Sequence, residues 1–374
     1  MKVCYLTNIP SPYRVDYFNE LGKYCELTVI FERRSSSERN SEWNNYEFCN
    51  FKGIILDGVK VSTDSGFSLK GLRYLKAGEY DVIVSTNFST ISGMLQIIKM
   101  KGSRIRYCLE ADGGFPGSGR GCKEKLKKTL LSGAQNYFST SSMCDQYFLL
   151  YGAKTNQLVR YPFTSLHARN VLPRVLPFEE KEQLRRALAI TEQKVVISVG
   201  RFSYKNGYGK GFDTLLRVCE HMSPDYGIYI IGDEPTEEFL SWRRNKQLDH
   251  LHFVPFVKKD ILTSYYQAAD VSVLLSRGEA WGLVINESMA NGVPVIATKA
   301  CIAGQELIQN GENGYLVEVN DAESVQYYIE SICSKRIDEQ NMAQCCLDTA
   351  RKYTIEAMVE CHRIAFETIL QEGD

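Results

Sequence analysis

The chain lacks the long hydrophobic runs and the charge imbalance that mark membrane-spanning and nucleic-acid-binding proteins. No apolar run approaches the ~20 residues needed to cross a bilayer, and the opening MKVCYLTNIP lacks the apolar centre of a signal peptide. The formal net charge is −1, from 44 basic and 45 acidic residues, so we expect no nucleic-acid partner. We therefore expect a cytoplasmic protein, either free in solution or peripheral at the inner face of the membrane.

The twelve cysteines lack the spacing of a metal site. Apart from Cys345-Cys346 they are scattered singly, with no C-x-x-C pair and no Cys/His pattern for zinc. This usage is typical of reduced thiols in the cytosol. We expect no metal ion and no other cofactor to be required.

Short apolar strands alternate with helical segments twice along the 374 residues, which is long for one open α/β domain. The predicted strands are KVCYLT, ELTVIF, DVIVST, IRYCLE, NYFST and QLVR, then VVISVG, IYII, HFVPF, VSVLL, VPVIA and GYLVEV. The predicted helices of the first half are YRVDYFNELGK, TISGMLQIIKM, KEKLKKTLL and SMCDQYFLLYG, and residues 32–50 are predicted to be a long surface loop. This pattern predicts the α/β class, with two doubly wound Rossmann-like domains facing across a cleft.

The domain boundaries follow from a segment rich in proline, YPFTSLHARNVLPRVLPF, at 161–178. We expect a first domain over 1–165, a linker over 166–185 and a second domain over 186–350. Thr354 is predicted to cap a last amphipathic helix, and the segment 351–374 that contains it can cross back to pack on the first domain.

Two carboxylates stand out in SRGEAWGLVINESMANGVPVIAT, residues 276–298. Glu279 and Glu287 lie eight positions apart between two predicted strands, and the helical part between them ends at Asn291-Gly292. A strand–turn–helix unit places its turn at the carboxyl end of the strand, where open α/β sheets bind ligands. We predict that Glu279 lies in the binding loop and that Glu287 faces the same crevice from the helix.

A glycine-rich loop follows the first strand of the second half, in VVISVGRFSYKNGYGKGFDTLL. The strand ends at Gly200, Arg201 follows it, and Lys210 stands where a helix begins. Two cations and main-chain N–H groups at a helix start suit a diphosphate, although a solvated loop has the same composition. It is not a Walker loop, because Gly211 rather than Ser or Thr follows Lys210.

Four motifs occur in a fixed order within roughly residues 195–320: VGRF…GKGFDTLL, IIGDEP, EAWGLVINESMANGVPVIAT and AGQELIQNGENGYLVEVND. Together they resemble the retaining, nucleotide-sugar-dependent glycosyltransferases of family 4, which have the GT-B architecture. The first half fits this family by topology more than by motif. The resemblance implies transfer of a hexose-type sugar from a UDP- or GDP-sugar to a saccharide acceptor. A lipid-linked acceptor in surface or exopolysaccharide biosynthesis is the implied setting.

The resemblance also implies roles for individual residues. Glu279 would bind the donor sugar hydroxyls and Glu287 the ribose hydroxyls, since a carboxylate accepts two O–H hydrogen bonds. Arg201 and Lys210 would hold the diphosphate and stabilise it as it leaves. The implied donor site comprises Gly200, Arg201, Lys210, Phe256, Val257, Glu279, Trp281, Gly282, Leu283 and Glu287. Phe256 and Val257 would meet the base through their main chain, and residues 281–283 would meet the sugar or phosphate.

The acceptor side departs from the family pattern. The loop after the first strand reads NIPSPYR, with Arg14 in reach of a phosphate, and the first half has no histidine before His167. In place of a histidine, CLEADGGFPGSGRG offers Glu110 and Asp112. One of these carboxylates can orient or deprotonate the acceptor hydroxyl, or Asp112 can simply form the Asp-Gly-Gly turn. A retaining front-face mechanism also lets the departing phosphate take the proton.

A basic stretch follows at once, GRGCKEKLKKTLLSGA. Arg120 precedes four lysines that are interleaved with Leu126, Leu130 and Leu131, namely Lys123, Lys125, Lys127 and Lys128. Such a helix can rest on an anionic membrane, where a lipid-linked acceptor would lie, or can be an ordinary solvated helix.

Two other functions remain open at the level of the sequence. One is a nucleotide-sugar epimerase of the same fold, and the other is a non-catalytic domain that binds a nucleotide sugar and supports a partner enzyme.

Overall fold

Two parallel β-sheets organise the fold, one in each of two units of the chain. The computed structural model describes residues 1–35, 46–62, 65–117, 121–334 and 339–371. Unit 1 comprises Met1–His167 and Tyr353–Asp374, and unit 2 comprises Ala168–Lys352.

The sheet of unit 1 has the strand order β3-β2-β1-β6-β7-β8-β9, with every neighbouring pair parallel. A separate antiparallel pair, β4 with β5, follows β3. The strands are β1 (Lys2–Thr7), β2 (Glu26–Phe31), β3 (Lys52–Ile55), β4 (Val59–Lys60), β5 (Gly66–Phe67), β6 (Val82–Ser85), β7 (Cys108–Glu110), β8 (Tyr137–Ser139) and β9 (Leu158–Arg160). The chain leaves β1 toward β2 and then returns to β6 on its other side, so a topological switch point lies between β1 and β6.

The sheet of unit 2 has the order β12-β11-β10-β13-β14-β15 and is also parallel. Its strands are β10 (Lys194–Gly200), β11 (Tyr226–Gly232), β12 (Leu251–Val254), β13 (Val271–Leu274), β14 (Val295–Thr298) and β15 (Gly314–Val317). Here the switch point lies between β10 and β13. Ligands of open α/β sheets bind beyond the carboxyl ends of the two strands at such a point.

Helices lie between most of the consecutive parallel strands, as a parallel crossover requires, and others lie between β9 and β10 and after β15. They are α1 (Pro12–Leu21), α2 (Ile91–Gly102), α3 (Cys122–Leu131), α4 (Ser142–Leu150), α5 (Phe178–Ala187), α6 (Phe212–Cys219), α7 (Glu237–Asn245), α8 (Lys259–Ala268), α9 (Leu283–Ala290), α10 (Ile302–Leu307), α11 (Ala322–Cys333), α12 (Glu339–Ala350) and α13 (Ile355–Gln371). Thr354 Oγ1 accepts the N–H of Ala357 at 3.2 Å, which confirms the predicted cap of α13. The main-chain N–H of Ile355 donates to the carbonyl of Leu166 at 2.8 Å, and α13 packs against α1 within unit 1.

Both faces of the second sheet are covered, which explains why its strands read as apolar runs without alternation. Val196 of β10 packs in a cluster with α6 and α11, whereas Val195 and Ile197 pack in a cluster with α5 and α8. Burial of successive side chains on opposite faces follows from the two-residue period of a strand.

The two doubly wound sheets confirm the predicted fold class. The sequence reading missed β3, because KGII is short and adjoins the polar stretch 32–50, of which residues 36–45 lie outside the described residues. The predicted linker 166–185 is also not a free connection over its whole length, since residues from Phe178 onward form α5, which packs on α8 within unit 2.

Candidate functional site

The turn after β10 is built by a carboxylate that follows β11. Asp233 accepts the main-chain N–H groups of Phe202 and, at 3.0 Å, of Ser203. Arg201 lies at the start of this turn and is exposed. Asp233 therefore shapes the loop that carries Arg201, a role that the motif IIGDEP did not reveal.

The loop continues through a short 3-10 helix, Lys205–Lys210, whose first residues have left-handed backbone angles. Gly211 follows Lys210 with a φ of 72°, and a Cβ there would lie 2.1 Å from the main-chain oxygen of Leu275. Only glycine permits this approach. The approach brings Lys210 next to the loop that follows β13, on the other side of the switch point.

Lys210 and Glu279 meet at this switch point. The Nζ of Lys210 lies 2.5 Å from Oε2 of Glu279, and the Oγ of Ser276 donates to the same oxygen at 3.2 Å. The two side chains retain 18% and 22% of their exposure, so a ligand at the carboxyl edge can reach both. The structure thus joins two candidate donor residues that are 69 positions apart in the chain.

The segment 281–283 positions the start of α9. The ring of Trp281 is buried, and its Nε1 donates to Asn286 Oδ1 at 2.8 Å, so the side chain is part of the packing. Gly282 has a φ of 109° and precedes Leu283, the first residue of α9. α9 ends at Ala290 before Asn291 and Gly292, which confirms the predicted helix end.

Glu287 lies on α9 and is held by the neighbouring helix α8. Its Oε2 accepts the hydroxyl of Tyr266 at 2.9 Å. Burial and the adjacent carboxylate raise the pKa of Tyr266 well above 10, so this hydroxyl remains a donor at neutral pH. Beyond β12, Phe256 is 49% exposed, whereas Val257 packs against the cluster that contains α5 and α8.

The predicted acceptor-side residues meet within unit 1. Arg14 of α1 is buried, with Nη2 at 2.6 Å from Asp112 Oδ2 and Nη1 at 3.7 Å from Glu110 Oε1. The structure therefore places Arg14 in an internal ion pair, and its contact with a phosphate stays a prediction. Among the described residues, Asp112 Oδ1 is buried without a hydrogen-bond partner, and burial raises the pKa of this carboxyl. A carboxyl with a raised pKa and one oxygen without a hydrogen-bond partner is suited to accept a proton.

A histidine that the sequence reading did not place in the first domain reaches Glu110 from α13. The Nε2 atom of His362 lies 3.2 Å from Oε2 of Glu110, and its Nδ1 donates to the carbonyl of Met358 at 2.8 Å. The hydroxyl of Tyr5 donates to the same Glu110 oxygen at 3.0 Å. Both ring nitrogens of His362 therefore face oxygen atoms. The sequence before His167 contains no histidine, and α13 supplies this one from the far end of the chain.

The comparisons with known proteins agree with this geometry. Residues 180–346 match the family described as glycosyl transferases group 1. The fold of the whole chain is similar to that of HepE from Anabaena, solved with UDP, with a TM-score of 0.77 at 16% identity over 98% of this chain and 100% of HepE. Just under half of the chain is thus similar to the group 1 glycosyl transferases, and the whole chain has the GT-B fold.

Two curated relatives carry glycosyltransferase names. An uncharacterized glycosyltransferase of Haemophilus influenzae is 34% identical over 146 residues, which cover 38% of this chain and 40% of that protein. The lipopolysaccharide core biosynthesis glycosyltransferase LpsE of Rhizobium meliloti is 34% identical over 139 residues, or 37% of this chain and 39% of LpsE. The chain thus spans less than half the length of the curated relatives it matches. The family match and the named relatives are the basis of the transferase activity proposed below.

The basic stretch of this GT-B chain is only partly available to a membrane. Leu130 and Leu131 are buried in unit 1 rather than lipid-facing, whereas Leu126 is 60% exposed. The Nζ of Lys127 lies over the rings of Tyr147 and Tyr151, at 4.5 and 4.3 Å from their centroids. The remaining lysines, Lys123, Lys125 and Lys128, are exposed, and Arg120 lies outside the described residues.

Neither a metal cluster nor a membrane-crossing helix is found in the described part of the chain. Over residues 1–35, 46–62, 65–117, 121–334 and 339–371, no group of three or more His, Cys, Asp or Glu side chains is arranged to hold a metal ion. No helix among these residues is long and apolar enough to span a bilayer.

The buried Glu110 predicts a pH-dependent stability. Although burial opposes it, His362 and Arg14 lower the pKa of Glu110 below its ordinary value of 4.5. A depressed carboxyl pKa stabilises the fold above about pH 4.5, and this stabilisation is lost as the pH falls. Glu110→Gln should therefore lower the free energy of unfolding at pH 7 by roughly 3–5 kcal/mol, the usual cost of removing one partner of a buried pair.

Urea unfolding at pH 7 and at pH 3.5 would check this, with Glu360→Gln as the control. Glu360 lies on the same helix as His362 but on its exposed side, paired with Arg363, so its loss should leave stability unchanged. A wild-type to Glu110→Gln difference that is the same at both pH values would contradict the assignment.

Proposed function

We propose that this protein is a retaining glycosyltransferase of family 4 that moves a hexose-type sugar from a nucleoside-diphosphate sugar to a saccharide acceptor. The observation that carries the proposal is the Lys210–Glu279 pair. It lies at the switch point of a doubly wound sheet, within the residues that match the group 1 glycosyl transferases. A cation for a diphosphate and a carboxylate for sugar hydroxyls are the two groups that such a donor requires.

Donor binding separates this pair, because each of the two side chains then binds the donor instead of the other. Without a ligand, the ammonium of Lys210 and the carboxylate of Glu279 neutralise each other at 2.5 Å. A bound diphosphate takes the ammonium, because its oxygens carry more negative charge, and Glu279 is released to accept hydrogen bonds from the sugar. The exposed Arg201 adds a second cation, and the start of α9 at Gly282 and Leu283 adds its positive dipole end.

The bond that breaks joins the anomeric carbon to the diphosphate oxygen. Negative charge grows on the leaving diphosphate, where Lys210 and Arg201 stabilise it. In a front-face retaining reaction the leaving phosphate oxygen takes the proton of the acceptor hydroxyl, and the acceptor oxygen bonds to the same face of the sugar. In unit 1, the Asp112 side chain retains 27% of its exposure, and we assign it to orienting an acceptor hydroxyl.

Relatives support the choice of substrates. HepE has been solved with UDP and with UDP-glucose, and LpsE is named for lipopolysaccharide core biosynthesis. We therefore propose a UDP- or GDP-sugar donor and a saccharide acceptor, lipid-linked, in surface or exopolysaccharide assembly. Glu287, held by Tyr266, is assigned to the ribose hydroxyls, and the main chain at Phe256 and Val257 to the base.

Product release separates this function from its two alternatives. A thermal-shift panel of nucleotide sugars first identifies the donor, since a ligand that binds only the folded form raises the melting temperature. With that donor, nucleoside diphosphate should be released only when a saccharide acceptor is present. Conversion of the donor sugar without release would identify an epimerase. Tight binding with no turnover toward any acceptor would identify a non-catalytic partner domain.

Turnover is expected to be independent of divalent metal. Lys210 and Arg201 supply the positive charge that a metal ion gives in other diphosphate sites. Activity in EDTA should equal activity in magnesium, measured by diphosphate release at saturating donor. Activity that vanishes in EDTA and returns only with manganese or magnesium would refute this.

Membrane contact is expected to depend on three of the four lysines of α3. Each Lys near an anionic leaflet contributes about 1 kcal/mol, so changing Lys123, Lys125 and Lys128 to Gln should weaken binding to anionic vesicles by about 100-fold. Lys127→Gln is the matched control, because the Lys127 ammonium already lies over two tyrosine rings. Sedimentation with anionic and neutral vesicles at low and high salt measures the vesicle binding of each variant. If the triple variant sediments like the wild type, α3 is an ordinary solvated helix.

A further inference from the structure

Arg277 joins three segments of unit 2 that lie far apart in the chain. It stands two positions before Glu279, in the loop between β13 and α9. Its guanidinium forms two parallel hydrogen bonds with Asp213 of α6, from Nη1 to Oδ1 and from Nη2 to Oδ2, both at 2.7 Å. Nη2 also donates to Asn320 Oδ1, beyond β15, at 2.6 Å.

The same arginine also binds the main chain just before Lys210. Its N–H donates to the carbonyl of Gly209 at 3.0 Å, and its Nη1 donates to the carbonyl of Tyr208. Asp213, which binds the guanidinium, follows Lys210 by three positions on α6. The chain that carries Lys210 is thus tied, before and after that residue, to the loop that carries Glu279.

The loop is anchored independently on its other side. The N–H of Glu279 donates to the carbonyl of Ala300 at 3.0 Å, and Thr298 Oγ1 donates to the carbonyl of Ser276 at 2.5 Å. These contacts attach the loop to the end of β14. Arg277 supplies the attachment in the opposite direction, toward α6, and so sets how far the Glu279 carboxylate lies from the Lys210 ammonium.

We infer that Arg277 is a positioning residue for the donor: through Asp213 and the carbonyls of residues 208 and 209, it sets the Lys210–Glu279 geometry that a nucleoside-diphosphate sugar needs. The inference rests on the proposed function for its ligand. An arginine suits this task because its planar fork presents several N–H donors in fixed directions, which the single ammonium of lysine cannot do. Misplacing a reacting group by about 1 Å can cost roughly 10²-fold in rate.

Arg217, which contacts the same carboxylate, provides a matched control. Its Nη2 donates to Asp213 Oδ2 at 3.0 Å from the next turn of α6, and its side chain is 46% exposed. Arg217 thus binds the same carboxylate as Arg277, but from within the helix that already carries Asp213. Removing Arg217 changes the charge beside Asp213 and leaves the connection between α6 and the Glu279 loop in place.

The kinetic test compares Arg277→Gln and Arg277→Lys with Arg217→Gln. Arg277→Gln should lower kcat/KM for the donor by roughly 10²-fold and raise the donor KM, while the acceptor KM stays unchanged. Arg277→Lys should recover only a small part of the loss, and Asp213→Asn should reproduce it. Arg217→Gln should retain near wild-type constants. Equal constants for Arg277→Gln and Arg217→Gln, or a fall in melting temperature with no change in donor KM, would overturn the inference.

A measurement that needs no donor keeps this inference separate from the proposed function. Amide hydrogen exchange over residues 276–282 should be faster in Arg277→Gln than in the wild type and unchanged in Arg217→Gln. Unchanged exchange in Arg277→Gln would overturn the inference even if the enzyme is a glycosyltransferase. A wild-type protein that binds no nucleotide sugar would refute the proposed ligand, whereas faster exchange in Arg277→Gln alone would still establish the tie between the two loops.

Discussion

Replacing Lys210 with Ala should lower turnover by roughly 10²–10³-fold, the usual scale for losing one preorganised charge-stabilising group. The reason is that the leaving diphosphate loses the cation that the structure brings to the switch point. Unit 2 should still fold, since the Lys210 side chain lies at the carboxyl edge of the sheet and its partner, Glu279, is also partly exposed. The measurement is kcat at saturating donor, with the melting temperature taken in parallel.

Lys205→Ala is the matched control for this variant. Lys205 lies in the same 3-10 helix, with its Nζ 5.4 Å from the centroid of the Tyr204 ring, and it is not assigned to the donor. This variant should retain near wild-type turnover, which would show that losing a different cation from the same loop does not lower turnover. Near-normal turnover in Lys210→Ala would instead show that the diphosphate binds elsewhere in the chain.

Changing Glu279 and Glu287 to Gln should have different effects on turnover and on nucleotide affinity. Glu279→Gln should reduce turnover and alter discrimination between donor sugars, because it removes the carboxylate that we propose for the sugar hydroxyls. Affinity for free nucleoside diphosphate should stay the same or rise in this variant, since Lys210 loses the carboxylate that competes for it. Glu287→Gln should weaken nucleoside diphosphate and nucleotide sugar alike, by roughly 10-fold or more for a lost hydrogen bond to a charged group.

Calorimetry with free diphosphate and with the nucleotide sugar distinguishes these outcomes. Tyr266→Phe adds a control, because it removes the hydroxyl that orients Glu287 without changing the carboxylate itself. It should show a smaller loss than Glu287→Gln and the same pattern across the two ligands. Equal loss of diphosphate affinity in Glu279→Gln and Glu287→Gln would refute the division of roles.

Much of the proposed donor site was predictable because its signals are local. The apolar strands β10 and β13 are recognisable from composition, and the loops that follow them must lie at the carboxyl edge of a parallel sheet. Lys210 and Glu279 were therefore expected at one edge, and the structure places them in contact at 2.5 Å. The helix end at Asn291-Gly292 was equally local, since it depends on the left-handed backbone that Gly292 adopts with a φ of 69°.

The partners of these residues were not predictable in the same way. Asp213 pairs with Arg277 across 64 positions, and Asp233 holds the turn at Phe202 across 31. Nothing in the local pattern around either carboxylate indicates its partner. Such pairs depend on which strands become neighbours in the sheet, and a pairing of that kind is settled only when the chain has folded.

The predicted acceptor-side residues show the same difference between local signals and partners that are distant in the sequence. The sequence predicted that Glu110 ends a strand, IRYCLE, and that Asp112 follows it. It also indicated α13, whose apolar residues recur at helical spacing. The placement of α13 in unit 1, with His362 at 3.2 Å from Glu110, became known from the folded chain, as did the inward turn of Arg14 to the same carboxylates. Strand and helix formation depend on neighbours a few residues away, whereas a buried charge can be accommodated only by an opposite charge that packing brings to it.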